Sequence, residues 1–136
     1  MVSGIGLRNL YAFTHPMPCD DIEGTSPPVD VPALISRKAF AGTCRYCMEA
    51  LELFVSAYGA ECGNLALRAV TTRGLYVGGG IAPKVLPALQ TGLFLDSFCA
   101  KSPMEDLLAS IPVKVILNPQ AGLLGAAVFA NAQVLG

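Results

Sequence analysis

Apolar residues at steps of three and four run from Cys44 through Cys47, Met48, Leu51, Phe54, Val55, Tyr58 and Cys62 to Leu65. This is the period of a helix with one buried face. It predicts the longest element of the chain, a helix from about Cys44 to Thr71 (residues 43–72 with its flanks), capped by Thr43 and stopped by Arg73-Gly74. Gly59 and Gly63 lie on it four apart. Each costs a helix about 1 kcal/mol relative to alanine. Two on one face imply close packing against another backbone, or a kink.

The rest of the chain is arranged around that helix. Ser3 is a candidate N-cap for a helix through Leu7, Leu10 and Tyr11. Residues 16–32 are rich in Pro, Asp, Gly and Ser and read as a surface loop, since Pro27-Pro28 cannot sit inside a helix. Val31 to Phe40 can form a short helix that Ala41-Gly42 breaks. Leu75-Tyr76-Val77 reads as a buried strand, Gly78-Gly79-Gly80 as a turn, and Pro83 as a helix start. Val85 to Leu89, Leu93 to Cys99 and Met104 to Leu108 read as short helices, Val113 to Leu117 as the clearest strand, and Gly122 to Leu135 as an Ala-rich helix. Helices alternating with strands define an α/β fold. Two strands alone make a marginal sheet, so the remainder of the sheet is expected outside this sequence.

Apolar residues make up 53% of the chain and charged residues 14%. That excess exceeds what 136 residues need for their own interior and implies a surface covered by something else: a second chain, a missing domain or lipid. The net charge of -1 and the lack of a basic block give no footprint for nucleic acid. Five cysteines in no secreted framework, and a start at Met1-Val2-Ser3-Gly4 without a signal-peptide pattern, point to thiols in a reducing cytoplasm. Val115 to Gly136 carries no charge, but Asn118, Pro119, Gln120, Asn131 and Gln133 interrupt it. A strand and a buried helix account for this stretch better than a membrane span.

Little of this sequence looks like catalytic machinery. Asp20, Asp21, Glu23, Asp30, Glu49, Glu52, Glu61, Asp96, Glu105 and Asp106 fall in the loop or on polar helix faces, and none is assigned to catalysis. Cys44-Arg45-Tyr46-Cys47 is a C-x-x-C, but zinc would need two more ligands and His15 is the only histidine. No strand precedes it as in a thioredoxin-like redox motif. Both cysteines lie on the apolar stripe and read as buried structural thiols, Cys62 as a tightly packed one, and His15 as solvent-facing; no metal-ligating set is assigned. Gly78-Gly79-Gly80 is the best candidate site, because a strand ending in glycines before a helix lets backbone approach a ligand. Its plainer reading is a turn that needs positive φ.

Three segments together resemble bacterial-type glucokinases of the actin–hexokinase kinase superfamily. Ser3-Gly4-Ile5-Gly6-Leu7-Arg8-Asn9-Leu10-Tyr11 is similar to the family's S-G-x-G-L-x-N-x-Y. Gly63-Asn64-Leu65-Ala66-Leu67, then Gly74 to Pro83, resemble its G-N-L-A-L and its G-G-G-I-x-P adenosine motif. Ile111-Pro112-Val113 with Gly122-Leu123-Leu124-Gly125-Ala126 resembles its I-P-V strand and G-L-L-G-A helix. The order and spacing match over nearly the whole chain.

The resemblance implies that residues 1–136 form the C-terminal part of the large domain of a ribonuclease H-like kinase fold, helix-rich with a few strands. Residues 74–83 would be the adenosine motif, with Gly78, Gly79, Gly80 and Ile81 at the nucleotide, and residues 122–135 a hinge helix, where Gly122, Gly125 and Ala126 let helices cross closely. Arg8 and Asn9 would lie toward the sugar. The intact enzyme would use ATP, Mg²⁺ and glucose. The family's D-x-G-x-T phosphate loop, its catalytic aspartate in F-x-N-D and its second phosphate loop lie upstream of S-G-x-G-L, where this sequence starts. The chain alone is therefore expected to bind nucleotide weakly or not at all and to be inactive. Two other expectations stand beside this: a non-catalytic module that associates with itself, as a homo-oligomer, or with a full-length kinase; and a small membrane-associated protein using the uncharged C-terminus.

Overall fold

A computed structural model of the chain describes residues 3–17 and 30–134. Most of the 16–32 loop assignment, including Pro27-Pro28 and Cys19, lies outside the described residues.

Helix α1 spans Gly4–Thr14, and the Ser3 hydroxyl caps it by accepting the Gly6 amide at 3.1 Å. Helix α2, Val31–Phe40, starts two residues inside the expected loop because the Asp30 carboxylate caps it, accepting the Ala33 amide at 3.3 Å, and Pro32 sits in its first turn, where a missing N–H costs nothing. Gly42, at φ 66°, turns the chain into α3.

Helix α3 spans Arg45–Ala69. Thr43 does not cap it: its hydroxyl donates to the Lys38 carbonyl, and the Cys44 sulfur accepts the Cys47 amide at 3.4 Å instead. Nor does it run to Thr71. Val70 takes a left-handed φ of 49°, and the Thr71 amide returns to the Ala66 carbonyl at 3.2 Å, closing the last turn. A β-branched residue in that conformation carries strain of about 1–2 kcal/mol.

The buried stripe of α3 is Cys47, Ala50, Leu51, Phe54, Val55, Tyr58, Cys62 and Ala66; Met48 and Leu65, expected in it, lie on its exposed margin. The helix packs against α1, α2 and, most extensively, α5 (Leu93–Cys99). A Cβ on Gly59 would strike the Phe94 carbonyl oxygen, and one on Gly63 that of Phe98. The two glycines let α5 lie backbone against backbone on α3, with Ser56 and Ser97 hydroxyls 3.0 Å apart at the crossing.

Strand β1, Leu75–Val77, pairs in parallel with β2, Val113–Val115, in the register Leu75↔Val113, Tyr76↔Lys114 and Val77↔Val115. The crossover between them is a 3₁₀ turn at Pro83–Val85, then α4 (Leu86–Leu89), α5 and α6 (Glu105–Ala109). Parallel strands require such a connection. Neither strand is as buried as its composition suggests: Val77 is buried but Tyr76 is exposed, and β2 ends two residues before Leu117.

Helix α7, Ala121–Val134, departs most from expectation. It was to be buried, yet residues 122–133 are all exposed, with Leu123 at 73% and Phe129 at 67%. No helix among the described residues is long and apolar enough to cross a membrane.

Candidate functional site

Because β1 and β2 run parallel, their carboxyl ends emerge side by side. In open α/β sheets this is the edge where ligands bind. Here the edge opens into a cleft of about 830 Å³, with Gly78, Gly79, Gly80 and Lys84 on one wall and Leu117 and Asn118 on the other. The Asn118 side chain accepts the Gln120 amide at 2.9 Å and so starts α7 at the rim.

The three glycines are not equivalent. Gly79 has φ 104°, which L-residues avoid, so the turn itself demands glycine there. A Cβ on Gly78 would make an ordinary 3.6 Å contact with Ile116, and one on Gly80 would meet nothing within 4 Å. The chain's own packing therefore accounts for one glycine of the three. The other two leave the wall bare of side chains on the side that faces the cleft. Ile81, next in the motif, packs partly buried against the core, and its carbonyl accepts the Lys84 and Val85 amides at 3.0 and 3.1 Å.

Lys84 and Asn118 were passed over in the sequence, although Lys84 follows Pro83 directly and Asn118 opens the N-P-Q turn. Lys84 reaches back 2.5 Å to the Asp30 carboxylate, with both side chains half exposed. The hydrogen bond from Lys84, helped by the Ala33 amide, holds the Asp30 carboxyl below its ordinary value. This pair ties the cap of α2 to the turn after the glycines. Among the described residues no carboxylate lines the cleft, and Glu49, Glu52, Glu61, Asp96, Glu105 and Asp106 are exposed on helices, as their solvated-face reading predicts. Among the described residues the cleft thus offers a glycine wall and the Lys84 cation, with no carboxylate to act as a base or to hold Mg²⁺.

Other residues singled out in the sequence lie elsewhere. Arg8 and Asn9 are exposed on α1 and do not line the cleft. Gly122 is at its rim, but a Cβ on Gly122 or Gly125 would touch nothing, so the small-residue face of α7 meets no second helix among the described residues. His15 is not solvent-facing. It is buried, with Nε2 3.3 Å from the Cys44 sulfur and 3.8 Å from that of Cys47. The structure joins the lone histidine to the C-x-x-C.

The helix layers on a parallel strand pair, with a glycine-walled cleft at its carboxyl edge, are part of the α/β fold of actin–hexokinase-like kinases. Residues 1–133 match the family model described as Glucokinase. The chain belongs to the glucokinase family. It is 41% identical to a glucokinase of Synechocystis sp. over 96% of this chain and 41% of the relative. It is 52% identical to one of Nostoc sp. over 75% of this chain and 30% of the relative. A crystal structure of a glucokinase from an Antarctic psychrotroph superposes with a TM-score of 0.72 at 31% identity, covering 92% of this chain and 37% of that one. The chain thus spans about two-fifths or less of these proteins' lengths.

Proposed function

We propose that this chain supplies the adenosine-side wall, residues 74–83, and the hinge helix, residues 122–135, of a cytoplasmic ATP-dependent glucokinase that makes glucose 6-phosphate. On this reading Gly78, Gly79 and Gly80 let the purine and ribose lie against bare backbone. Ile81 anchors the turn to the core. The observation that carries the proposal is the pair of glycines, Gly78 and Gly80, that neither sterics nor φ requires and that face an open cleft at the carboxyl ends of parallel strands. The cleft fits a nucleoside. Its described lining does not fit Mg²⁺, since none of those residues is a carboxylate. Among the described lining residues the phosphates would meet Lys84 as the one cation, so binding by the chain alone would be weak, and without a base near a sugar hydroxyl it would transfer no phosphoryl group.

Amide spectra of the labelled chain titrated with ATP test this. ATP should move the resonances of residues 78–84, and Gly80→Leu should abolish the shifts. Since nothing lies within 4 Å of that position, the variant should keep its unfolding free energy to within about 0.5 kcal/mol. Shifts confined to other regions, or unchanged in the variant, would sink the assignment. Glucose 6-phosphate formed by the pure chain would refute its inactivity.

A second reading rests on α7. Its exposed apolar side chains favour association with a second copy or with a full-length kinase, whether or not the cleft binds nucleotide.

A further inference from the structure

We propose that His15, Cys44 and Cys47 form a zinc site that staples the end of α1 to the start of α3. Their donor atoms, Nε2 and two Sγ, all lie within 4.8 Å of one another. A tetrahedral zinc with bonds of about 2.0–2.1 Å to nitrogen and about 2.3 Å to sulfur holds its ligand atoms about 3.5–3.8 Å apart. The observed 3.3 and 3.8 Å from Nε2 to the two sulfurs bracket that spacing.

The surroundings favour a metal over a chance cluster for three reasons. The first is the tautomer. His15 Nδ1 lies 3.0 Å from the Tyr11 carbonyl oxygen, which can only accept, so Nδ1 carries the proton. The Nε2 lone pair is then left facing both sulfurs, the second-sphere arrangement that prepares a histidine for a metal. The second is the position of the cysteines. Cys44 is the N-cap of the 25-residue α3 and Cys47 lies in its first turn. There the Cys47 amide donates to the Cys44 sulfur at 3.4 Å, and both sulfurs reach the imidazole. The third is rigidity. The imidazole is held between the rings of Tyr11 and Tyr46, at centroid distances of 3.7 and 5.1 Å.

A set of one imidazole and two thiolates suits a borderline-soft divalent cation rather than Mg²⁺ or Ca²⁺. Binding sends the two thiol protons to solvent and leaves the imidazole neutral. The fourth position of the tetrahedron is left to water or a further donor. The site shares no residue with the glycine cleft and is independent of its assignment. It would fix α1, which carries the S-G-x-G-L segment, to the central helix.

The experiment loads the whole chain, thiols reduced, with cobalt(II) and then zinc(II). Cobalt should give the intense visible bands of a tetrahedral ion with a thiolate charge-transfer band, and one equivalent of zinc should displace it. Cys47→Ser and His15→Gln should each weaken binding at least about tenfold. Cys99→Ser, away from the cluster, should not. Zinc should also raise the melting temperature of the unmodified chain, and chelator should reverse the rise. A reduced chain that is folded by circular dichroism yet gives no cobalt band at micromolar metal would overturn the proposal. So would binding that the Cys47 and His15 variants leave unchanged.

Discussion

Cys62 shows how burial sets the chemistry of a single side chain. It sits on the α3 face pressed against α5, almost fully buried, and burial, then the neighbouring Glu61 charge, pushes its thiol from 9.0 up to about 11. The folded state therefore holds the proton more tightly than the unfolded chain does. Its contribution to stability is fully present below pH 9 and is lost as pH rises toward 11. At pH 8 the native chain should leave Cys62 unalkylated by iodoacetamide while the partly exposed Cys99 reacts ahead of it, and urea should release Cys62. Peptide mapping decides the order, and rapid native labelling of Cys62 would contradict it. At this scale the sequence was legible where the cause is local. The Ser3 cap needs only its own first turn, and the tight packing of Cys62 follows from its place on a helical stripe beside a glycine. His15 was illegible because its partners lie 29 and 32 residues away, and no period links a helix end to a distant C-x-x-C.

Among elements, the α3–α5 crossing is the contact on which the chain depends most. Two effects oppose each other at Gly59. Replacing a helical glycine by alanine gains about 1 kcal/mol of helix propensity. The added methyl, however, would collide with the Phe94 carbonyl, a backbone atom that cannot swing away. Overpacking of this kind costs typically about 1–3 kcal/mol and exceeds the gain where backbone must move. Gly59→Ala should therefore lower the urea midpoint, and Gly59→Ala with Gly63→Ala, which meets Phe98 in the same way, should lower it further. An unchanged midpoint in both would mean that α5 is not held as described. The glycine pair was readable as close packing or a kink from its spacing alone; which helix it met was not, since Phe94 and Phe98 lie far along the chain from Gly59 and Gly63. Helix ends were less legible for a related reason. The stop at Ala69 rests on a left-handed Val70, which no propensity favours and which the returning Val70 and Thr71 amides hold in place.

For the molecule as a whole, the sequence foresaw the apolar excess but not its location. Helix α7 is apolar all round, a composition that ordinarily means burial. The described residues leave it exposed, so a large share of the excess sits on one helix at the rim of the cleft. Leu124 at 60% and Val128 at 62% exposure lie one turn apart on one face, with Leu123 and Phe129 beside them. On the proposed reading such a contiguous patch is where a second chain would dock. The chain should sediment as more than a monomer at micromolar concentrations, and Leu124→Lys with Val128→Glu should return it to a monomer. Those side chains are exposed, so the substitutions should leave the thermal unfolding of the core within about 0.5 kcal/mol of the parent. Three outcomes are distinguishable. A monomer in both chains would mean that α7 is solvated as it stands and that association needs another partner. An oligomer that survives the double substitution would move the interface off this face of α7. Loss of the oligomer with an intact core would identify α7 as the face that a second chain covers.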